Sequence, residues 1–182
     1  KAVTFRTDHF STFLVVHEYS KPFTDITLGS WYYDGVNHAL ANGWFSGVSA
    51  TAFAPDSSMT RAMLVTVLYR MSGNTASANA QFSDVAAGKW YAEAIAWASA
   101  NGIVTGYSDG TFKPDALVTR QQLAAILYRC AAYRQEDTSI GADTNILSFT
   151  DAVSVSEYAV PALQWACGAG ILQGADGALL PA

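Results

Sequence analysis

The chain repeats itself, and that repetition constrains its fold more than any other feature. Residues 23–73 and 82–132 align without a gap, and 20 of the 51 aligned positions are identical. The shared residues include Gly29/Gly88, Trp31/Trp90, Tyr32/Tyr91, Asn42-Gly43/Asn101-Gly102, Gly47/Gly106, Phe53/Phe112, Pro55-Asp56/Pro114-Asp115, Thr60-Arg61/Thr119-Arg120 and Leu68-Tyr69-Arg70/Leu127-Tyr128-Arg129. A third copy opens at Phe149-Thr150-Asp151 and runs through Tyr158, Leu163, Trp165 and Gly170-Ile171-Leu172. It stops at Pro181-Ala182, where the other copies place their Thr-Arg pair. Polar, small-residue connectors at 74–80 and 135–143 separate the copies.

Each copy reads as helix, loop, helix. In the second, Tyr91, Ala94/Ile95 and Ala98 recur at helical spacing. Asn101-Gly102-Ile103 closes that helix: the glycine takes the left-handed position and the apolar residue after it packs back on the last turn. Asn42-Gly43-Trp44 and Gly170-Ile171 repeat the signal. The loop from Gly106 to Asp115 is turn chemistry around one apolar anchor, Phe112. A metal loop is the weaker alternative, since its carboxylates are few and Asp109 is matched by Ala50. The second helix starts at the threonine, with Leu64, Val67/Leu68 and Met71 matched by Leu123, Ile126/Leu127 and Cys130 on its apolar face. Residues 1–20 differ: Val3-Thr4-Phe5-Arg6 and Phe13-Leu14-Val15-Val16-His17 are strand-like, and a β-hairpin left over from a preceding domain is expected there.

Composition removes several function classes. The chain has 182 residues, enough for one domain or two small ones, and its 51% hydrophobic content excludes wholesale disorder. Ten Lys+Arg against fifteen Asp+Glu give a net charge of −5, with 14% of residues charged. Such a chain is poorly suited to tracking a nucleic-acid backbone or lying on an anionic membrane. No apolar run approaches the roughly 18 residues of a membrane span, and Lys1-Ala2-Val3-Thr4-Phe5-Arg6 is not a signal peptide. Cys130 and Cys167 lack zinc-ligand spacing and read as two small buried thiols rather than a bridge. His9 and His17 lie away from any convergent acid or nucleophile, and no catalytic or phosphate-loop motif occurs. Nothing in the residues asks for catalysis or a cofactor.

The Thr-Arg pair carries the chemistry. Thr60 and Thr119 stand at helix N-cap positions, and Gln122 completes a capping box with Thr119, whereas Met63 breaks it in the first copy. Arg61 and Arg120 then place a cation on the first helical turn, where the dipole favours anions. The same local rule broken twice points to a site or a fixed ion pair. One reading is an anion pocket made of arginine, cap hydroxyl and free helix N–H groups. The other is an ion pair to an aspartate such as Asp25 or Asp84. Trp31 and Trp90 have two readings as well: a flat platform for the apolar face of a sugar, or core packing. Trp97 and Trp165 sit mid-helix and read as core.

In order, Phe-Thr-Asp, Trp-Tyr, Ala-Asn-Gly, Gly, Phe-x-Pro-Asp and Thr-Arg, recurring every 59 to 67 residues, resemble the S-layer homology domain over residues 23–182. The resemblance implies a mainly α fold, with three helix-loop-helix repeats in a pseudo-threefold spindle: repeat 1 at 23–73, repeat 2 at 82–132 and a truncated repeat 3 at 149–182. It implies a non-catalytic module at the bacterial cell surface, binding an anionic secondary cell-wall polysaccharide, such as one bearing pyruvate ketals, in grooves between repeats. The site residues it implies are Arg61, Arg120, Asp25, Asp84, Asp151, Trp31, Trp90, Thr60, Thr119, the loop glycines Gly47 and Gly106, and Tyr107. The family's Thr-Arg-Ala-Glu becomes Thr60-Arg61-Ala62-Met63 and Thr119-Arg120-Gln121-Gln122, so the acidic fourth residue is lost in both copies. Two competent grooves at most are expected. The alternative is a degenerate module that docks to neighbouring S-layer or surface-protein domains, its arginines held in structural ion pairs. A fused enzyme would lie outside these residues.

Overall fold

A computed structural model of the chain describes residues 23–73, 82–141 and 144–181. The expected N-terminal hairpin and the first connector lie outside them. Five α-helices form among the described residues: α1 (Tyr33–Ala41), α2 (Arg61–Met71), α3 (Ala92–Ala100), α4 (Arg120–Tyr133) and α5 (Val160–Gly168). The only β pairings there are two isolated bridges, so the fold is mainly α. The chain divides into two compact bodies, Lys1–Pro55 and Asp56–Ala182.

The first helix of every copy ends as its sequence requires. Gly43, Gly102 and Gly170 all take positive φ, at 71°, 69° and 70°. Each then closes the same paired hydrogen bonds: Gly102 N–H donates to Ser99 O and Ile103 N–H to Ala98 O, at 3.1 and 2.8 Å. Trp44 to Ala39 and Ile171 to Ala166 repeat the Ile103–Ala98 bond. Ile103 is fully buried by this turn. The helices start slightly later than the tryptophan spacing suggests, since Trp31 and Trp90 occupy the turn before α1 and α3.

The loop is built the same way in all three copies. Asp25 accepts from Phe53 N–H and Ala54 N–H, Asp84 from Phe112 and Lys113, and Asp151 from Leu179 and Leu180, all within 2.7–3.0 Å. One backbone bond beside each clamp closes the turn: Thr24 N–H to Thr51 O, Ser83 to Gly110 and Thr150 to Gly177. The third copy keeps this geometry despite a loop shorter by one residue. The loop glycine is required by a close approach: a Cβ at Gly106 would fall within 3 Å of the Phe82 ring and of Thr111 O, and φ there is 69°. Gly47 over Phe23 and Gly174 over Phe149 make the same approach.

Within body 56–182, α2 packs on α3 and α4 on α5. The first core gathers Leu64, Val65, Ile95, Trp97, Ile103 and Phe112, and the second joins Ala124 and Ala125 to Leu163, Trp165 and Ala166. Val65 rather than Val67 is fully buried in α2, because the helix is covered on a broader face than its strongest apolar stripe. Trp97 and Trp165 are core residues, 1% and 8% exposed. Trp165 Nε1–H donates to Asp137 O. Both cysteines are free thiols, Cys130 buried and Cys167 half-buried.

Candidate functional site

Successive repeats interlock at the Thr-Arg pair. Thr60 and Thr119 cap α2 and α4, accepting from the N–H of Met63 and Gln122 at 3.2 and 3.4 Å. The next N–H groups turn outward to the loop of the following repeat: Arg61 N–H donates to Ala116 O, Ala62 to Pro114 O and, one repeat later, Gln121 to Pro181 O. The helix start is thus stitched to its neighbour by groups a helix leaves unsatisfied.

Arg61 finishes the joint. Its Nε donates to Phe112 O at 2.9 Å and its Nη1 to Gln122 Oε1 at 3.1 Å. Its guanidinium carbon lies 4.6 Å from the centre of the Phe112 ring and 4.9 Å from that of Tyr107. The residue is 6% exposed and no carboxylate pairs with it among the described residues. Burial pulls its pKa below the ordinary value, with Tyr107, Tyr158 and Asp84 opposing, yet an arginine keeps its charge throughout the physiological range. Of the two sequence readings, the ion pair to Asp84 does not form: that carboxylate is spent on loop N–H groups, and the guanidinium uses a carbonyl and an amide instead.

The guanidinium borders a groove of about 280 Å³. Buried Val104, Ala125 and Ile126 line it together with Gly106, Tyr107, Gln122, Arg129 and Tyr158, and its lining holds no acidic residue. Gln122 spans it, since its Nε2 donates to Tyr107 Oη at 3.2 Å while its Oε1 accepts from Arg61. The expected capping box is therefore only half made, because both ends of the Gln122 side chain turn to the groove. Three repeats contribute: Arg61 from the first, Tyr107, Gln122 and Arg129 from the second, and Tyr158 from the third.

Arg120 repeats the joint with a different outcome. Its Nε donates to Leu179 O at 2.8 Å and its Nη2 to Gln173 O at 2.7 Å. The residue after the loop glycine is Ala175, so no counterpart of Tyr107 lies there.

The remaining expected site residues fall into two groups. Asp25, Asp84 and Asp151 hold loops, as described. The pKa values of Asp25 and Asp151 are lowered chiefly by the N–H groups of Phe53 and Leu179. Trp31 and Trp90 are not core residues: they are 94% and 61% exposed and stand edge-on to Tyr32 and Tyr91. Trp90 does not line the Arg61 groove, where Tyr158 is the ring from a first-helix start. Sequence reasoning missed Gln122 and Arg129 as groove residues. The matched Leu-Tyr-Arg ends of the second helices were the available signal for Arg129, and Tyr158 standing in the tryptophan position was the signal for the ring. Among the described residues no group of His, Cys, Asp and Glu is arranged to hold a metal, and no helix is long and apolar enough to cross a membrane.

Comparison with known proteins agrees with the repeats. The S-layer homology domain family model matches residues 22–62 and 81–124. An endoglucanase of Bacillus sp. (strain KSM-635) is 32% identical over 162 residues, which are 88% of this chain and 17% of that protein. The outer membrane protein SlpA of Thermus thermophilus is 45% identical over 58 residues, 32% of this chain and 6% of the relative. A cellulosome-anchoring protein of Acetivibrio thermocellus is 28% identical over 113 residues, 59% of this chain and 25% of the relative. The chain thus spans a quarter or less of each of these relatives. Repeated motifs, a loop clamp built three times over and the two matched segments identify S-layer homology domain repeats in the chain, at residues 22–62 and 81–124.

Proposed function

We propose that the chain anchors its parent protein to the bacterial cell wall by binding an anionic wall polysaccharide, with Arg61 as the principal charge contact. The anchoring role and the cell-surface location follow from the family and from surface-protein relatives. An enzyme relative is matched over only 17% of its length, in keeping with a non-catalytic module shared among different surface proteins. The polysaccharide and its acidic substituent rest on the site. The observation that carries them is an arginine, 6% exposed, at the edge of an open groove, with no carboxylate among the described residues to balance it. Burying a charge without an ionic partner is costly. An anionic ligand would supply the missing partner through the guanidinium N–H groups that the Phe112 and Gln122 bonds leave over.

Tyr107 and the polar edge of Gln122 suit a sugar, whose rings have an apolar face and a hydroxyl rim. A pyruvate ketal or other carboxylate on the sugar would meet Arg61. Arg120 is the second arginine of this reading, and weaker binding is expected there, because Gln173 O already takes its Nη2 and Ala175 offers no ring. Trp31 and Trp90 are proposed as exposed platforms for further sugars along the chain. Asp25, Asp84 and Asp151 hold loops in register rather than touch ligand.

Co-sedimentation with purified cell walls tests the reading. The protein should pellet with intact walls, and much less with walls stripped of acidic substituents by mild acid. Equal pelleting with both would remove the anion from the proposal.

A further inference from the structure

The third repeat carries an apolar surface that its sister copies lack. It opens on two short 3-10 turns, Ile146–Ser148 and Ala152–Ser154, which pack on each other. Ile146 is buried and Ala152 half-buried, while the residue after each stands in solvent: Leu147 is 77% exposed and Val153 93%. The loop clamp brings a third side chain to the same cluster. Asp151, two residues before Val153, accepts from Leu180 N–H at 2.7 Å, and Leu180 is 51% exposed. At the corresponding positions the first copy has Lys21, Thr27 and Ala54, and the second has Ala80, Ala86 and Lys113. Thr27, Ala86 and Lys113 face solvent as well. The fold thus leaves these places open to water, and the third copy alone fills all of them with large aliphatic side chains. One exposed leucine is unremarkable; three such residues in one cluster mark a contact surface.

Charge is missing from this surface. Residues 144–156 and 177–182 hold one charged side chain between them, Asp151, and its carboxylate is spent on the N–H groups of Leu179 and Leu180. Elsewhere fifteen acids against ten bases make two copies of the chain repel. A basic partner would find nothing to hold here, whereas an uncharged apolar face is complementary to itself, and a two-fold axis sets the same three side chains on both sides. The face is small. Three side chains offer on the order of a few hundred Å², below the roughly 800 Å² per partner of a stable interface. We propose that Leu147, Val153 and Leu180 form a weak two-fold contact between copies of this chain, with a dissociation constant of about 1 mM. The copies are monomers in dilute solution. They pair when a wall holds them side by side and raises their effective concentration to about the millimolar range. The contact is independent of the anchoring reading; its use at the wall rests on that reading.

Sedimentation equilibrium of the whole chain, from about 10 μM to about 1 mM, tests the contact. The weight-average mass should rise from 19.4 kDa to about 1.5 times that value at the upper end. Added salt should raise it further by screening the repulsion. A variant with Leu147→Lys, Val153→Thr and Leu180→Lys carries residues that the other copies hold at these positions, so it should melt like wild type. It should stay at the monomer mass throughout. Its two lysines offset part of the net charge of −5, which alone would favour association, so the loss reads the apolar contact. Leu117→Ser, at an exposed leucine of the second repeat, should associate like wild type. A wild-type chain that remains monomeric at about 1 mM would overturn the proposal and leave the face to a different protein. Association that persists in the triple variant, or that Leu117→Ser abolishes equally, would overturn it too. On purified cell walls the wild-type isotherm should be sigmoidal and that of the triple variant hyperbolic. A hyperbolic wild-type isotherm would refute pairing at the wall. Failure of both proteins to bind walls, with pairing in solution intact, would refute the anchoring reading and leave the contact standing.

Discussion

At the scale of single residues, Arg61 shows how one side chain serves two ends. Its Nε closes the joint between repeats while its outer edge faces the groove. A lysine there keeps the charge and loses the fork, so the substitution is not conservative. Arg61→Lys should lower the melting temperature by about 5 °C, from the loss of charged hydrogen bonds worth roughly 1.5–3 kcal/mol each, and should also weaken wall binding. An unchanged melt would mean that the Phe112 carbonyl bond contributes nothing. Gly106 offers a sharper contrast. Alanine at φ 69°, pressed on Phe82 and the Thr111 carbonyl, should cost about 2–3 kcal/mol. Trp90→Ala, at an exposed ring, should shift stability by no more than about 0.5 kcal/mol. Differential scanning calorimetry of the pair separates the two. The glycine was legible in the sequence because only its repetition at equal spacing needed explaining. The exposure of Trp90 was not, since spacing alone cannot tell a surface ring from a core ring.

At the scale of the element, the loop clamp is an aspartate holding two N–H groups of an irregular turn. The clamp also pins an unfavourable backbone: Ala54, Lys113 and Leu180, the second donors, all have positive φ, between 53° and 60°. No glycine marks those positions, so the sequence could not announce them; the tertiary clamp overrides local preference. Lys113→Gly should therefore be neutral or slightly stabilising in chemical denaturation, against the usual cost of glycine. A loss above about 1 kcal/mol would show that the lysine side chain, stacked 4.2 Å from the Tyr107 ring centre, matters more than backbone strain. The clamps are also acid-sensitive. Asp25 and Asp151 have pKa values below the ordinary 3.8 in the folded chain. A depressed folded pKa means stability that is present above the unfolded value and lost as pH falls through the folded one. Melting temperature should thus be flat near neutrality and drop below about pH 4. Asp151→Asn should lower it at pH 7 and blunt the acid drop; an identical acid profile would remove that clamp from the explanation.

At the scale of the molecule, the repeats, their helix pairs and their glycine-closed ends were readable because each is a local pattern written two or three times. The groove was only half readable. Arg61 and Tyr107 belong to the motif, but Gln122, Arg129 and Tyr158 join Arg61 in one groove only when three repeats come together, which no single copy records. The interlock makes body 56–182 cooperative, since the Arg61, Ala62 and Gln121 N–H groups in the first turns of α2 and α4 are hydrogen-bonded to their neighbours' loops. In native-state hydrogen exchange the Ala62 and Gln121 amides should open with the cores of α3 and α5, not as fraying helix ends. Early exchange of these amides would break the link between joint and core. The central claim is that the motif arginine at a helix start reads an anion on the wall polymer. Six arginines make their Nε–H signals few enough to assign by substitution and follow by nuclear magnetic resonance. On titration with acidic wall fragments, the Arg61 and Arg129 signals should shift together and saturate, Arg134 should stay still, and fragments stripped of their acidic groups should move Arg61 far less. Saturable binding that leaves the Arg61 signal in place would contradict that claim outright.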